Sequence, residues 1–235
     1  MATRRTSRRS STLSSPGRSP GVRERAAQAT QESILRAATK IFAEHGYDGA
    51  TVEKISKAAR SYDRMIYYYF GNKEGLFVAV LEEAYRRFNE AEAALELDPK
   101  QSPEAMKEVV RFMVRYYRDN PEFVTLLNSE NLQRGKHVAK SLRAGEYSLP
   151  AIGIVERILR AGAARGLFRP DVSARDLYLM IAGLGYFYQS NRYTLSAFLG
   201  ENLEAPAAQA HWESFVIDSV LRAVSPASST VELVA

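Results

Sequence analysis

From about residue 30 to residue 224, apolar side chains recur at helical spacing in one segment after another, and nowhere do they alternate with period two. That regularity confines the chain to an all-α fold. In the first segment Ile34, Ala38, Ile41 and Phe42 fall at i, i+4, i+7 and i+8, which predicts one buried stripe on a helix from about Thr30. Gly46 is expected to stop that helix as a left-handed cap. Thr51 is placed to cap a second helix with Val52, Ile55 and Ala59 turned inward. A third is expected over about 62–70 and a fourth over about 73–97, before the Pro99–Pro103 loop. Further helices are expected near 103–119, 121–134, 147–166, 173–199 and 206–224, separated by proline and glycine.

The second and third helices, within TVEKISKAARSYDRMIYYYFGNKE, sit a tight turn apart. On a wheel of 100° per residue, Ile66, Tyr69 and Phe70 gather on one side of the third helix. Arg64, Tyr67 and Tyr68 gather on the other, with Asp63 at the edge. An outward face of guanidinium and phenols suits a DNA groove: arginine grips guanine edges, and tyrosine hydroxyls donate to phosphate. Packing of these tyrosines against the rest of the protein is the plainer alternative. Thr51 opens a helix whose free N–H groups attract phosphate, although capping alone would also account for it. Lys73 has the reach to clamp a flanking phosphate.

Charge is divided unevenly. Residues 1–73 hold 14 Lys and Arg against 6 Asp and Glu, a net of +8, while residues 74–235 hold 18 against 21, a net of −3. A basic first third fits a polyanionic partner. Residues 1–25, with seven arginines and one acid among Ser, Pro and Gly, are expected to be a disordered basic arm. The expected division is then a helix-turn-helix head over 26–72, a helical regulatory trunk over 73–225, for which the resemblance given below implies effector binding and dimerisation, and a frayed tail over 226–235.

The chain has no cysteine, which excludes disulfides, thiolate catalysis and cysteine-ligated zinc. His45, His137 and His211 lack metal-ligand spacing, so no metal or other cofactor is expected. The longest apolar run, 177–188, is too short to cross a bilayer, and the first residues lack a signal-peptide apolar region, so a cytoplasmic protein is expected.

The run FAEHGYDGATVEKISKAARSYDRMIYYYFGNKEGLF resembles the N-terminal domain of TetR-family transcriptional repressors over about residues 30–80. That resemblance implies an all-α protein with a three-helix DNA-binding head and a C-terminal helical domain. It also implies a homodimer on a palindromic operator and a small-molecule effector that releases the DNA. By position it implies DNA contacts at Thr51, Ser61, Tyr62, Asp63, Arg64, Met65, Tyr67, Tyr68 and Lys73. The turn departs from the common family pattern: Arg60 replaces a usual glycine, Ser61 a small aliphatic and Tyr62 a serine, while Asp63 and Arg64 replace a frequent lysine and glycine. Arg60 lacks glycine's tolerance for positive φ, so a differently shaped turn is expected.

The likeness places the effector pocket among the fourth to eighth helices. Phe112, Tyr116, Tyr117, Phe123, Leu127, Glu130 and Asn131 are candidate lining residues, facing Tyr178, Tyr186, Phe187 and Asn191. Glu130 and Asn131 are the telling pair if buried. Ala182, Gly183 and Gly185, with Trp212, Phe215, Val216 and Val220, are expected to form a four-helix dimer seam; closing the protomer's own core is the alternative. An effector-independent activator or nucleoid-type protein remains a competing class. An α-helical enzyme finds no nucleophile–base pair or phosphate-cradling glycine loop here, and a helical interaction module with a basic arm would bind polyanions without sequence preference.

Overall fold

Proline and capping side chains set most of the helix starts. The computed structural model describes residues 20–141 and 149–226. Nine α-helices lie among the described residues: α1 Pro20–Gly49, α2 Val52–Ala58, α3 Asp63–Phe70, α4 Lys73–Ala93, α5 Ser102–Asp119, α6 Pro121–Leu132, α7 Leu149–Ala164, α8 Ala174–Leu199 and α9 Pro206–Val224. Prolines occupy the first turns of α5, α6 and α9, where a missing N–H costs no hydrogen bond. Thr51, Asn72 and Ser173 cap α2, α4 and α8 by accepting from the amides of Lys54 (3.2 Å), Gly75 (2.8 Å) and Asp176 (3.3 Å).

The first helix begins at Pro20, ten residues before the expected start. Its leading segment, RERAAQATQES, is built from strong helix formers but carries no apolar stripe, so periodicity alone does not reveal it. Residues 20–25 are therefore helical and not part of an arm; residues 1–19 and the tail from 227 lie outside the described residues. Gly46 does break the helix, but at φ 66 and ψ 178, a region open essentially to glycine alone and distinct from the expected left-handed cap.

Two cores form. The first joins Ile34, Ala38 and Phe42 of α1 with Ile55 of α2, Ile66 of α3, and Leu76, Phe77, Val80 and Leu81 of α4. It also takes in Leu126 of α6, which is fully buried there. The second runs through α5, α7, α8 and α9 and reaches Phe88 at the far half of α4. α4 and α6 thus belong to both halves, so position 72/73 is a change of helix inside one packed unit.

Candidate DNA-binding face and trunk site

α2 ends in a Schellman motif that aims α3. Ser61 N donates to Ser56 O (2.9 Å) and Arg60 N to Lys57 O (3.2 Å). Arg60 takes φ 52, so the turn keeps the left-handed form that glycine would favour, contrary to the expected change of shape. Ser56 Oγ donates to Asp63 Oδ1, which ties the first turn of α3 to α2. One oxygen of Asp63 is therefore engaged within the head.

From that anchor α3 divides as its wheel predicts. Ile66 is fully buried, while Tyr62, Tyr67 and Tyr68 are 70%, 53% and 77% exposed. Arg64 is exposed, with its guanidinium 5.2 Å from the Tyr62 ring centre; Ser61 and Met65 are half-buried. Exposed Lys54, Lys57 and Arg60 add positive charge beside this face. Lys73 is half-buried, its ammonium 4.6 Å above the Tyr47 ring.

In the trunk, Phe112, Tyr116, Tyr117, Phe123, Leu127, Tyr178 and Tyr186 pack into or against the second core around Phe88. The Phe88 ring stacks on Phe123 (5.6 Å) and meets Tyr116 edge-on (4.9 Å). Burial pushes the Tyr178 phenol up to about 12 and raises that of Tyr117 further.

Four expected lining residues lie elsewhere. Glu130 is buried but faces the turn after α6, where it accepts from the amides of His137 (2.8 Å) and Val138 (2.9 Å) and from His137 Nδ1 (2.7 Å). Asn131 is exposed, so the pair is not buried together. Phe187 is 56% exposed and Asn191 donates to its carbonyl, both away from the aromatic cluster. The polar groups missed by sequence reading are Asn128, Asn89 and Glu92. Asn128 Oδ1 accepts from Tyr186 Oη and from Ser190 Oγ (3.0 Å). Leu81, Tyr85, Phe88 and Glu92 fall at i, i+4, i+7 and i+11, so a carboxylate on an apolar stripe was the available signal.

The seam residues also divide. Val216 and Val220 are fully buried in the protomer's own core, and a Cβ on Gly185 would stand 3.1 Å from the Tyr117 ring, so these three close the monomer. Gly183 has open space around it, Phe215 is 50% exposed, and Ala182 and Trp212 are half-buried. Trp212 Nε1 donates to Leu184 O (3.3 Å), which joins α9 to α8.

A latch couples the halves. Tyr47 N donates to Ser129 Oγ (3.1 Å), Gln133 Nε2 to Asp48 Oδ2 (2.9 Å) and Lys140 Nζ to Glu74 Oε1 (2.7 Å). The buried His137 ring lies 4.3 Å from Tyr47 and 4.9 Å from Phe77. The Lys140 ammonium holds the Glu74 carboxyl below its usual range. Among the described residues no group of three or more His, Cys, Asp or Glu could hold a metal ion, and no helix is long and apolar enough to cross a membrane.

Two family profiles match. "Bacterial regulatory proteins, tetR family" covers residues 34–80, and "Tetracyclin repressor-like, C-terminal domain" covers residues 103–220. The HTH-type transcriptional repressor NicS of Pseudomonas putida is 49% identical over 205 residues, which span 87% of this chain and 97% of NicS. The HTH-type transcriptional regulator RutR of Escherichia coli is 32% identical over 119 residues, 48% of this chain and 52% of RutR. A tetR-family regulatory protein from Rhodococcus superposes with a TM-score of 0.66 at 21% identity, covering 85% of this chain and 98% of that one. Fatty acid degradation regulator FadR from Bacillus halodurans gives 0.63 at 22% identity over 81% of this chain and 94% of its own; at such identities both speak for the fold alone. With both halves matched and a relative aligned almost end to end, the chain belongs to the TetR family of bacterial regulatory proteins, DNA-binding regulators of transcription rather than enzymes.

Proposed function

We propose that this protein is a ligand-responsive repressor that binds a palindromic operator as a homodimer and is released by a small-molecule effector held in its trunk. The observation that carries this reading is the free face of α3. Arg64, Tyr67 and Tyr68 stand in solvent on a helix whose other side is pinned by Ile66 and by the Ser56–Asp63 bond. Rigid scaffolding behind an exposed guanidinium and two phenols suits insertion into a major groove. The likeness to NicS, a transcriptional repressor, supports the sign of the regulation.

In this reading residues 26–72 bind DNA and residues 73–225 sense and dimerise. Two heads stand about 34 Å apart, one turn of DNA, in successive major grooves. Thr51 and Lys73 contact phosphate, and Ser61, Tyr62, Asp63, Arg64, Met65, Tyr67 and Tyr68 meet bases or backbone. An effector among the trunk aromatics favours a different placement of α4 and α6, which the latch transmits to the head. A coupling of about 1–3 kcal/mol suffices for such a switch.

Selection of genomic fragments by the purified protein tests the reading, with Arg64→Ala as the control. We expect Arg64→Ala to weaken operator binding by about 1–3 kcal/mol while leaving random DNA nearly unaffected. Equal loss on both would make Arg64 a phosphate contact. A protein with no preference among fragments would not be an operator-binding repressor, and sharp preference with no ligand-dependent release would leave an effector-independent regulator.

A further inference from the structure

Two acceptor oxygens are stranded inside the trunk. Glu92 is 2% exposed, and its Oε2 accepts no hydrogen bond; Asn89 Oδ1 is likewise buried and unpaired. Residues three apart on a helix are surface neighbours, so Asn89 and Glu92 share one face of α4. Burial first, and the Glu92 charge in addition, raise the phenols of Tyr117 on α5 and Tyr178 on α8. Phe88, one residue before Asn89, belongs to the ring cluster formed with Phe112, Tyr116, Tyr117 and Phe123.

A buried acceptor without a donor is costly, and a buried carboxylate without a cation more so. Burial alone pushes the Glu92 carboxyl up to about 7, with no cationic side chain offsetting it. The core here keeps a cost that leucine at position 92 would remove. Donors arriving from outside the chain would complete both residues.

We propose that Asn89 and Glu92 are the polar anchor of the trunk ligand site, and that the ligand is a small flat molecule presenting adjacent N–H donors on a protonatable nitrogen. This rests on the reading that the trunk holds an effector, and it specifies that effector's chemistry. A carboxylate ligand would bring acceptors to Asn89 Oδ1 and to the ionised form of Glu92. A purely apolar ligand would leave both oxygens unpaired. A protonated, planar N–H donor meets Glu92 Oε2 and Asn89 Oδ1 while its ring packs among phenyl and phenol faces, which also favour a cation.

The test is calorimetric titration of the full-length protein with three probes: 2-aminopyridine, benzoate and toluene. The first offers adjacent N–H donors, the second only acceptors, and the third shape alone. We expect 2-aminopyridine to bind the wild type, Glu92→Gln to weaken it about tenfold or more, and Asn89→Leu to weaken it about threefold, the size of a lost hydrogen bond to a charged or neutral partner. Toluene should bind all three proteins alike. Tighter binding of benzoate than of 2-aminopyridine, no binding of 2-aminopyridine to the wild type, or equal binding to the wild type and Glu92→Gln overturns the anchor. If Glu92→Gln loses its helical circular dichroism, Asn89→Leu decides by the same criterion. A separate operator-release assay keeps the two claims apart. A compound that releases DNA with the same potency from wild type and Glu92→Gln overturns the anchor and leaves ligand control standing. Glu92-dependent binding of 2-aminopyridine, without release by it or any other compound, supports the anchor and removes ligand control.

Discussion

Gly75 shows how much one missing carbon can decide. A Cβ at this position would stand 2.1 Å from the Phe70 carbonyl oxygen, a backbone atom that no rotamer change can move. Its amide also donates to the Asn72 cap, so the turn between α3 and α4 is packed tightly here. Gly75→Ala should therefore lower stability by about 1–3 kcal/mol, the cost of overpacking at a rigid site. It should weaken operator binding as well; an unchanged melting temperature would show that the α3–α4 turn yields. Glu92 supplies the residue-scale pH dependence. Its folded carboxyl lies at about 7 against an ordinary 4.5, so the native state holds the proton more tightly than the unfolded chain. That contribution is complete below about pH 4.5 and is lost as pH rises to about 7 and beyond. Its full size is roughly 3 kcal/mol for a group this buried. Denaturant unfolding of the wild type should lose that much relative to Glu92→Gln between acid and mildly alkaline pH. Parallel curves for the two proteins would mean that Glu92 is not desolvated.

Among elements, the turn after α6 closes on the buried Glu130 carboxylate. Arg134 at φ 59 and Gly135 at φ 72 reverse the chain, so His137 and Val138 return their amides to Glu130. Removing that carboxylate leaves buried donors without acceptors. Glu130→Ala should cost about 3 kcal/mol, since each unmet buried donor costs about 1–3. Hydrogen exchange should accelerate at the His137 and Val138 amides, and protection as in the wild type would show that Glu130 does not hold the turn. The same segment marks the boundary of what sequence could disclose. The division of α3 into buried Ile66 and exposed Tyr67 and Tyr68 was readable, because a single helix's period fixes which side faces the head. The partner of Glu130 was not, because it lies beyond a reversal that no helical period records. Nor could spacing tell which neighbour covers a small residue: Gly185 makes room for Tyr117 of its own chain, while Gly183, two residues earlier, stands open. Glu92 was within reach, being an acid in register with Leu81, Tyr85 and Phe88.

For the whole molecule the decisive quantity is how many heads act together. Residues 1–73 carry a net of +8 and residues 74–235 a net of −3, so the pairing proposed above would join the weakly charged part of the chain. Leu179, Gly183 and Phe187 follow one another at every fourth position on the solvent side of α8, and Phe215 stands exposed on adjoining α9. An apolar stripe broken by an open glycine would let a second α8 approach closely, so of the expected seam Gly183 and Phe215 would meet a partner, joined by Leu179 and Phe187. Phe215→Glu and Phe187→Glu together place carboxylates there without touching the core residues Val216 and Val220. Sedimentation should then find protomers where the wild type gives pairs. Each protomer keeps its α3 face, so a half-site should bind both proteins alike. The full palindrome should lose about 100-fold or more of its affinity, because the second head no longer arrives at a high effective concentration. Intact pairs in the double variant would place the interface on another face of the trunk, and full operator affinity from separated protomers would mean that one head reads the whole site.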